Sequence, residues 1–302
     1  MVDGFKTKAT QIGEIMIIDY TSKPPLPDHQ VGGPHLNGYD RVYAKSYQSA
    51  GRDKGLGEES LTQYLQTYDS LGVSRVVIKA RDAETTHGYR VTNETVADFC
   101  REHSPRFIGL AGVDPNKGIR ALRELEHAVK ELGLHGLNLH PYEHHLPISD
   151  PKMYPVYAKC IELGIPLNLH CSTSFSTSAA MEWGHPRHLD QVMMHFPELR
   201  VCAAPPGWPW VLDLIGVAWR HENVYIGITA VRPKYLTIEH SGFGPLLQYG
   251  KTVLQDRIIW GSAWPMQPVD SALREIESLG LDESVKHKWL YENAANFLNL
   301  SH

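Results

Sequence analysis

Eight short apolar segments recur along the 302-residue chain, each separated from the next by a longer connecting stretch, and few folds accommodate that rhythm. They read, in order, EIMIIDYT, SRVVIKA, RFIGLAGV, LHGLNLH, IPLNLHC, LRVCAAP, NVYIGIT and RIIWGSA. Between several of them the apolar periodicity predicts amphipathic helices, over 61–71, 93–103, 119–132, 153–163 and 186–196. Strands that alternate with helices of this length build parallel βαβ units, and eight such units predict a closed (β/α)8 TIM barrel. Gly72, Gly133 and Gly164 each follow a predicted helix and precede a strand, as C-terminal caps in helix-to-strand turns do.

No linker or shift of composition divides the chain, so 1–302 reads as a single barrel domain. The segment 24–57, rich in Gly, Pro, Tyr and His, is too long for an ordinary connection and reads as a loop insertion after the first strand, at the barrel mouth. The net charge of −5, without a run of basic residues interleaved with aromatics, argues against nucleic acid as a partner. No apolar run is long enough to span a bilayer, and the opening residues lack the apolar middle of a secretory signal; a cytoplasmic protein away from membranes is expected. Cys100, Cys160, Cys171 and Cys202 lack a short paired spacing and are expected to be reduced core residues, with Cys171 alone open to a role in lining a pocket. A small-molecule substrate and a homo-oligomeric assembly complete these expectations.

In a TIM barrel the loops that follow the strands gather at one face, where substrate binds, so residues just after the strands are the candidates for chemistry. Here those ends carry GLNLHPYEH, IPLNLHCS, PPGWPW, NVYIGITAVRPKY, WGSAWPMQP and finally NAANFL. Together they resemble the amidohydrolase-2 branch of the amidohydrolase superfamily, which holds aminocarboxymuconate semialdehyde decarboxylase and related decarboxylases and hydrolases. The resemblance implies a metal held by a His-x-His after the first strand, a His after the fifth and an Asp after the eighth, with a catalytic His after the sixth. This chain departs from that pattern. Thr21 and Lys23 stand at the paired histidines, Pro205 at the catalytic histidine and Ala263 at the aspartate, and His170 alone is kept. An ammonium repels a metal ion, and proline and alanine have no side-chain donor, so the expectation is no metal and no cofactor.

Several groups remain for chemistry. His170, at a strand end, is the first candidate for proton transfer, against a leftover histidine bonded within the mouth. Lys23 stands where the resemblance implies a metal, so it can stabilise an oxyanion or, if buried, act as an amine; the plainer alternative is a solvated loop lysine. His140 and Tyr142 close the fourth strand and offer a second proton-transfer group and a hydrogen bond to substrate, with Thr21 nearby on the first, whereas His144 and His145 are expected to face solvent. Lys79 and Arg81 can clamp a carboxylate or pair with Asp82 or Glu84, and Arg232 is a further anion contact or a structural ion pair. Trp208 and Trp264 form an aromatic wall or pack the rim, and Trp210 is expected to pack. The function expected is metal-independent hydrolysis or lyase chemistry, including decarboxylation, on a small aromatic or cyclic carbonyl or carboxylate compound. The alternative is an inactive relative that binds a ligand or a partner.

Overall fold

The computed structural model describes residues 16–25 and 59–300. Ten strands fall in chain order: β1 (Ile17–Asp19), β2 (Val73–Lys79), β3 (Arg81–Ala83), β4 (Tyr89–Val91), β5 (Phe107–Gly112), β6 (Leu137–Leu139), β7 (Leu167–Leu169), β8 (Val201–Ala203), β9 (Val224–Ile228) and β10 (Ile258–Trp260). All but β3 and β4 make one parallel sheet in the order β1-β2-β5-β6-β7-β8-β9-β10, with helices between, the nearly closed (β/α)8 barrel expected. β3 and β4 form a separate antiparallel hairpin that the strand pattern did not show. The insertion over 24–57 lies, apart from its first two residues, outside the described residues.

The helices predicted at 61–71, 93–103, 119–132, 153–163 and 186–196 occupy Leu61–Ser70, Asn93–Glu102, Ile119–Lys130, Tyr154–Glu162 and Pro186–His195. Ser60 and Gln63 cap the first of these reciprocally, and the Thr92 side chain caps the second. Gly72, Gly133 and Gly164 have φ of 71°, 73° and 67°, the left-handed backbone that lets a helix turn back to a strand without a Cβ clash. No helix among the described residues is long and apolar enough to cross a membrane.

Successive side chains on a strand point to opposite faces, and that alternation divides the core in two. Ile17, Val76, Ile78, Phe107, Ala111, Val201, Ala203 and Ile258 join the layer beneath the helices. Ile18, Val77, Ile108, Leu110, Cys202 and Ile259 fill a second cluster inside the barrel with Tyr20 and Phe297. The four cysteines are free thiols. Cys171 is fully buried in the layer beneath the helices, so it packs and does not line a pocket.

Between β1 and β10 the barrel closes without a regular ladder. Tyr20 N donates to Trp260 O (3.2 Å), Ala263 N to Thr21 O (2.7 Å) and Lys23 N to Trp264 O (2.9 Å). The buried Asp19 carboxylate binds the two sides together, accepting from Thr21 N (3.2 Å), Ser262 N (2.8 Å), Ser262 Oγ (2.5 Å) and Tyr68 OH (2.8 Å). Burial raises the pKa of Asp19 above the usual carboxylate range, and these hydrogen bonds, those from Ser262 first, offset part of the rise. Truncating Asp19 to Ala leaves several buried donors without an acceptor, so the variant is expected to lose about 3 kcal/mol or more of stability. Urea unfolding measures this, and an unchanged midpoint would mean that the backbone bonds hold the seam without the carboxylate.

Candidate active site

Strand alternation also places the first layer of polar groups. Asn138 and Asn168 are paired across β6 and β7, and Asn168 Nδ2 donates to Asn138 Oδ1 (2.8 Å) while Asn138 Nδ2 donates to Ala80 O (3.0 Å). That chain orients both amides and leaves Asn168 Oδ1 as an acceptor for Lys79 Nζ at 3.3 Å. Lys79 ends β2, two residues beyond the inward-facing Val77, and its Nζ also donates to Thr21 Oγ1 at 2.6 Å and lies 4.6 Å from the Tyr20 ring centroid. Burial pulls its ammonium down to about 8; Cys202 and Asp19 act against the fall, and Lys23 adds to it.

Two residues further along β6 and β7, the same alternation brings His140 and His170 together, with ring centroids 5.8 Å apart. The Tyr142 ring lies edge-on to His170 at 4.7 Å. Beneath them Glu143, which is buried, accepts from His140 Nδ1 (3.0 Å) and Arg81 Nε (3.3 Å) and forms an ion pair with the other end of the Arg81 guanidinium. Arg81 Nη2 also donates to Tyr142 OH (3.3 Å). When Nδ1 carries the proton toward Glu143, Nε2 of His140 is left as an acceptor. Burial holds His140 near 4, Glu143 opposing and Arg81 assisting, and burial together with His140 holds His170 near 3. Both imidazoles are therefore neutral at neutral pH.

Lys23 follows Thr21 at the end of β1. Burial, with repulsion from Arg81, lowers the pKa of its ammonium, and Glu143 opposes the fall. Its side chain is also open to solvent, and that screening moderates the shift. The mouth thus brings Thr21, Lys79 and Asn168 to one group and Arg81, His140, Tyr142, Glu143 and His170 to a second, with the exposed Lys23 acting electrostatically on both.

Other candidates are placed elsewhere. Arg232 is paired with Glu275, whose second oxygen accepts from Lys234 N (3.3 Å), so its charge is engaged in a structural ion pair. Trp264 is buried edge-on to Tyr64 at 5.0 Å, behind the seam. Trp208 is 41% exposed, and its carbonyl accepts from Thr173 N (2.9 Å) and Ser172 Oγ (2.8 Å). Trp210 packs on His185 at 4.5 Å. His145 is exposed, but His144, expected in solvent, is buried with its Nδ1 3.6 Å from Asp114 Oδ1, because the short helix Pro141–His144 turns it inward.

The sequence reading passed over Asp19, Asn138, Asn168 and Glu143. The repeated Asn-Leu-His of GLNLH and PLNLH carried the signal for the two asparagines, since residues two apart on a strand share a face. Glu143 had no comparable signal.

The donors among the described residues of the mouth do not suit a divalent ion. Among the described residues no three His, Cys, Asp or Glu side chains form a metal-binding group. Glu143 is neutralised by Arg81, ammonium groups occupy the ends of β1 and β2, and Ala263, at φ 54°, has only a methyl to offer.

Fold and site together define a barrel of the mouth-site type, with its titratable groups at the C-terminal ends of the strands. The chain belongs to the amidohydrolase family, whose sequence pattern matches residues 51–300. The γ-resorcylate decarboxylase of Polaromonas sp. (strain JS666 / ATCC BAA-500) is 23% identical over 286 residues, covering 82% of this chain and 86% of that protein. A TIM-barrel protein, Bb4693 of Bordetella bronchiseptica, superposes with a TM-score of 0.80 at 24% identity, over 94% of this chain and 98% of that one. A dihydroxybenzoic acid decarboxylase of Polaromonas sp. JS666, crystallised with manganese and the inhibitor 2-nitroresorcinol, superposes with a TM-score of 0.62 at 16% identity, over 95% and 97% of the two chains.

The lowered pKa of Lys79 makes a prediction about stability. With a folded value of about 8 against an ordinary 10.5, the unfolded chain binds more protons between those pH values, so this group adds stability as pH rises through that window. Replacing Lys79 by Met removes that contribution. Thermal melts from pH 7 to 10.5 should show the variant gaining on the wild type at the low end and losing the gain toward the high end, whereas parallel curves would mean that Lys79 has an ordinary pKa.

Proposed function

We propose that this chain is a metal-independent enzyme of the amidohydrolase family that cleaves a small aromatic or cyclic carboxylate, with decarboxylation as the leading reaction. One observation carries the reading: Lys23 stands where the family resemblance implies a metal ligand, and Lys79 ends the neighbouring strand, near a His140 backed by Glu143. Two ammonium groups attract and orient an anion and balance negative charge as it develops on oxygen, the service a cation gives in such a site. His140, backed by the Glu143 carboxylate, is set to take a proton at Nε2, and an anion bound beside it makes that protonation easier. His170 packs next to this pair and shapes the pocket with Tyr142. Decarboxylation is favoured over hydrolysis because the curated relatives matched over most of the chain are decarboxylases. The same reading takes 1–302 as one domain with 24–57 as an insertion at the mouth, in a cytoplasmic homo-oligomer.

Elemental analysis of the purified protein should find well under one zinc, manganese or iron per chain, with activity indifferent to EDTA; a stoichiometric, tightly held metal would end the metal-independent reading. Calorimetry with γ-resorcylate and related hydroxybenzoates, followed by assay of carbon dioxide release, tests the substrate class. On the substrate so found, His140→Ala is expected to lower turnover by about 10²-fold or more. Binding without any turnover would instead favour a ligand-binding protein, the role to which the losses at Pro205 and Ala263 point.

A further inference from the structure

Among the cations at this end of the barrel, Lys79 is held differently. Arg81 and Lys117 rest on buried carboxylates, Glu143 and Asp82. Lys79 Nζ meets two neutral oxygens, Thr21 Oγ1 at 2.6 Å and Asn168 Oδ1 at 3.3 Å, with the Tyr20 ring alongside. Among the described residues no carboxylate bonds to it. Asp19, which acts on it electrostatically, already accepts four hydrogen bonds at the seam. A neutral amine has two N–H donors and one lone pair. Thr21 and Asn168 can take the two donors, and the lone pair remains for a ligand. Asn168 is in turn fixed through Asn138 to the backbone of Ala80, so the nitrogen is held in place, and the side chain is half-buried and open to the mouth. The Tyr20 ring stabilises the resting ammonium, and Lys23 works against it.

We propose that Lys79 is a nucleophilic amine that forms an imine with the carbonyl carbon of a small oxo-carboxylate, and that this covalent electron sink takes the place of a metal ion in the cleavage step. This deepens the reading of the mouth as a carboxylate-cleaving site and rests on it. The Nζ lone pair attacks the carbonyl carbon, the C=O π pair moves to oxygen, and one proton passes from the nitrogen to that oxygen to give a neutral carbinolamine. The carbinolamine then expels that oxygen as water, with one further proton, leaving a protonated imine. In a 3-oxo acid the bond between the α-carbon and the carboxylate breaks next, and its electron pair flows into the C=N group to give carbon dioxide and an enamine. Protonation of the α-carbon and hydrolysis of the imine release the ketone and restore the lysine. The net change is one oxo-carboxylate anion and one proton to one ketone and carbon dioxide, so no oxidant or reductant is consumed. Lys23 is placed to hold the carboxylate of the incoming molecule while its charge favours the free amine at Lys79.

Reductive trapping reads this without turnover. The full-length protein is incubated with pyruvate or acetoacetate and cyanoborohydride near pH 7.5, and modified lysines are mapped by peptide mass spectrometry. The reduced adduct should form on Lys79, saturate with probe concentration, and exceed by roughly ten-fold the modification of an exposed lysine such as Lys251. Lys79→Arg keeps a cation but has no nucleophilic amine and should abolish the adduct, while Lys23→Met should slow its formation. If Lys79→Arg fails to fold, the wild-type map alone decides. Labelling no greater at Lys79 than at Lys251, or an adduct on Lys23 in its place, overturns the proposal. Calorimetric binding of γ-resorcylate is measured in parallel. Binding without trapping refutes the imine and leaves the carboxylate site standing, whereas trapping on Lys79 that γ-resorcylate neither blocks nor accompanies by binding refutes the aromatic-carboxylate reading and leaves the nucleophile standing.

Discussion

A parallel sheet of eight strands has two edges, and their N–H and C=O groups must find partners when the sheet curls on itself. In this barrel the last meeting, between β1 and β10, is made by three backbone bonds and the Asp19 carboxylate, which collects donors from both sides and from Tyr68 on the first helix. The residues that follow Asp19 are Thr21 and Lys23, so the joint that closes the barrel also aims the first strand's contribution to the mouth. Tyr64 and Tyr68 both bond to Ser22 Oγ, at 2.8 and 2.9 Å, which ties the same turn to the outer helix. Structural closure and site geometry are therefore one set of interactions.

Charge at the mouth is arranged in two compartments. In one, Glu143 neutralises Arg81 and backs His140, so a buried guanidinium is paired and an imidazole keeps a defined orientation. In the other, Lys79 is surrounded by neutral acceptors and a neighbouring cation, so its positive charge is poorly compensated. A bound anion would supply that compensation, the physical basis of the carboxylate specificity proposed above.

A decarboxylase of the same fold was crystallised with manganese, and the function proposed for this chain puts ammonium groups where that site would hold an ion. Negative charge that develops on a substrate oxygen needs a nearby positive centre, and either a metal ion or a pair of ammonium groups can provide it. The two are mutually exclusive at one place, since an ammonium repels a divalent ion. Thr21, Lys23 and Ala263 each stand where the family resemblance implies a metal donor, and Pro205 where it implies the catalytic histidine.

The order of strands, the helices that separate them, the glycines that turn helices back, and the departures from the family pattern at three strand ends were legible in the sequence. These follow from local periodicity, backbone conformation and residue chemistry, all of which act over a few positions. It also marked His140, His170, Lys79 and Arg81 as strand-end groups. Which of them meet was decided only by the tertiary structure. Register across β6 and β7 set Asn138 against Asn168, the turn after β6 brought Glu143 beneath both Arg81 and His140, and the seam sent Trp264 inward against Tyr64. Arg232 found Glu275, and His144 folded in toward Asp114, because a surface charge or a loop histidine takes whichever partner packing brings within reach. The lowered pKa of Lys79 has the same origin: burial and neighbouring charge are properties of three-dimensional surroundings, and they set how readily an amine gives up its proton.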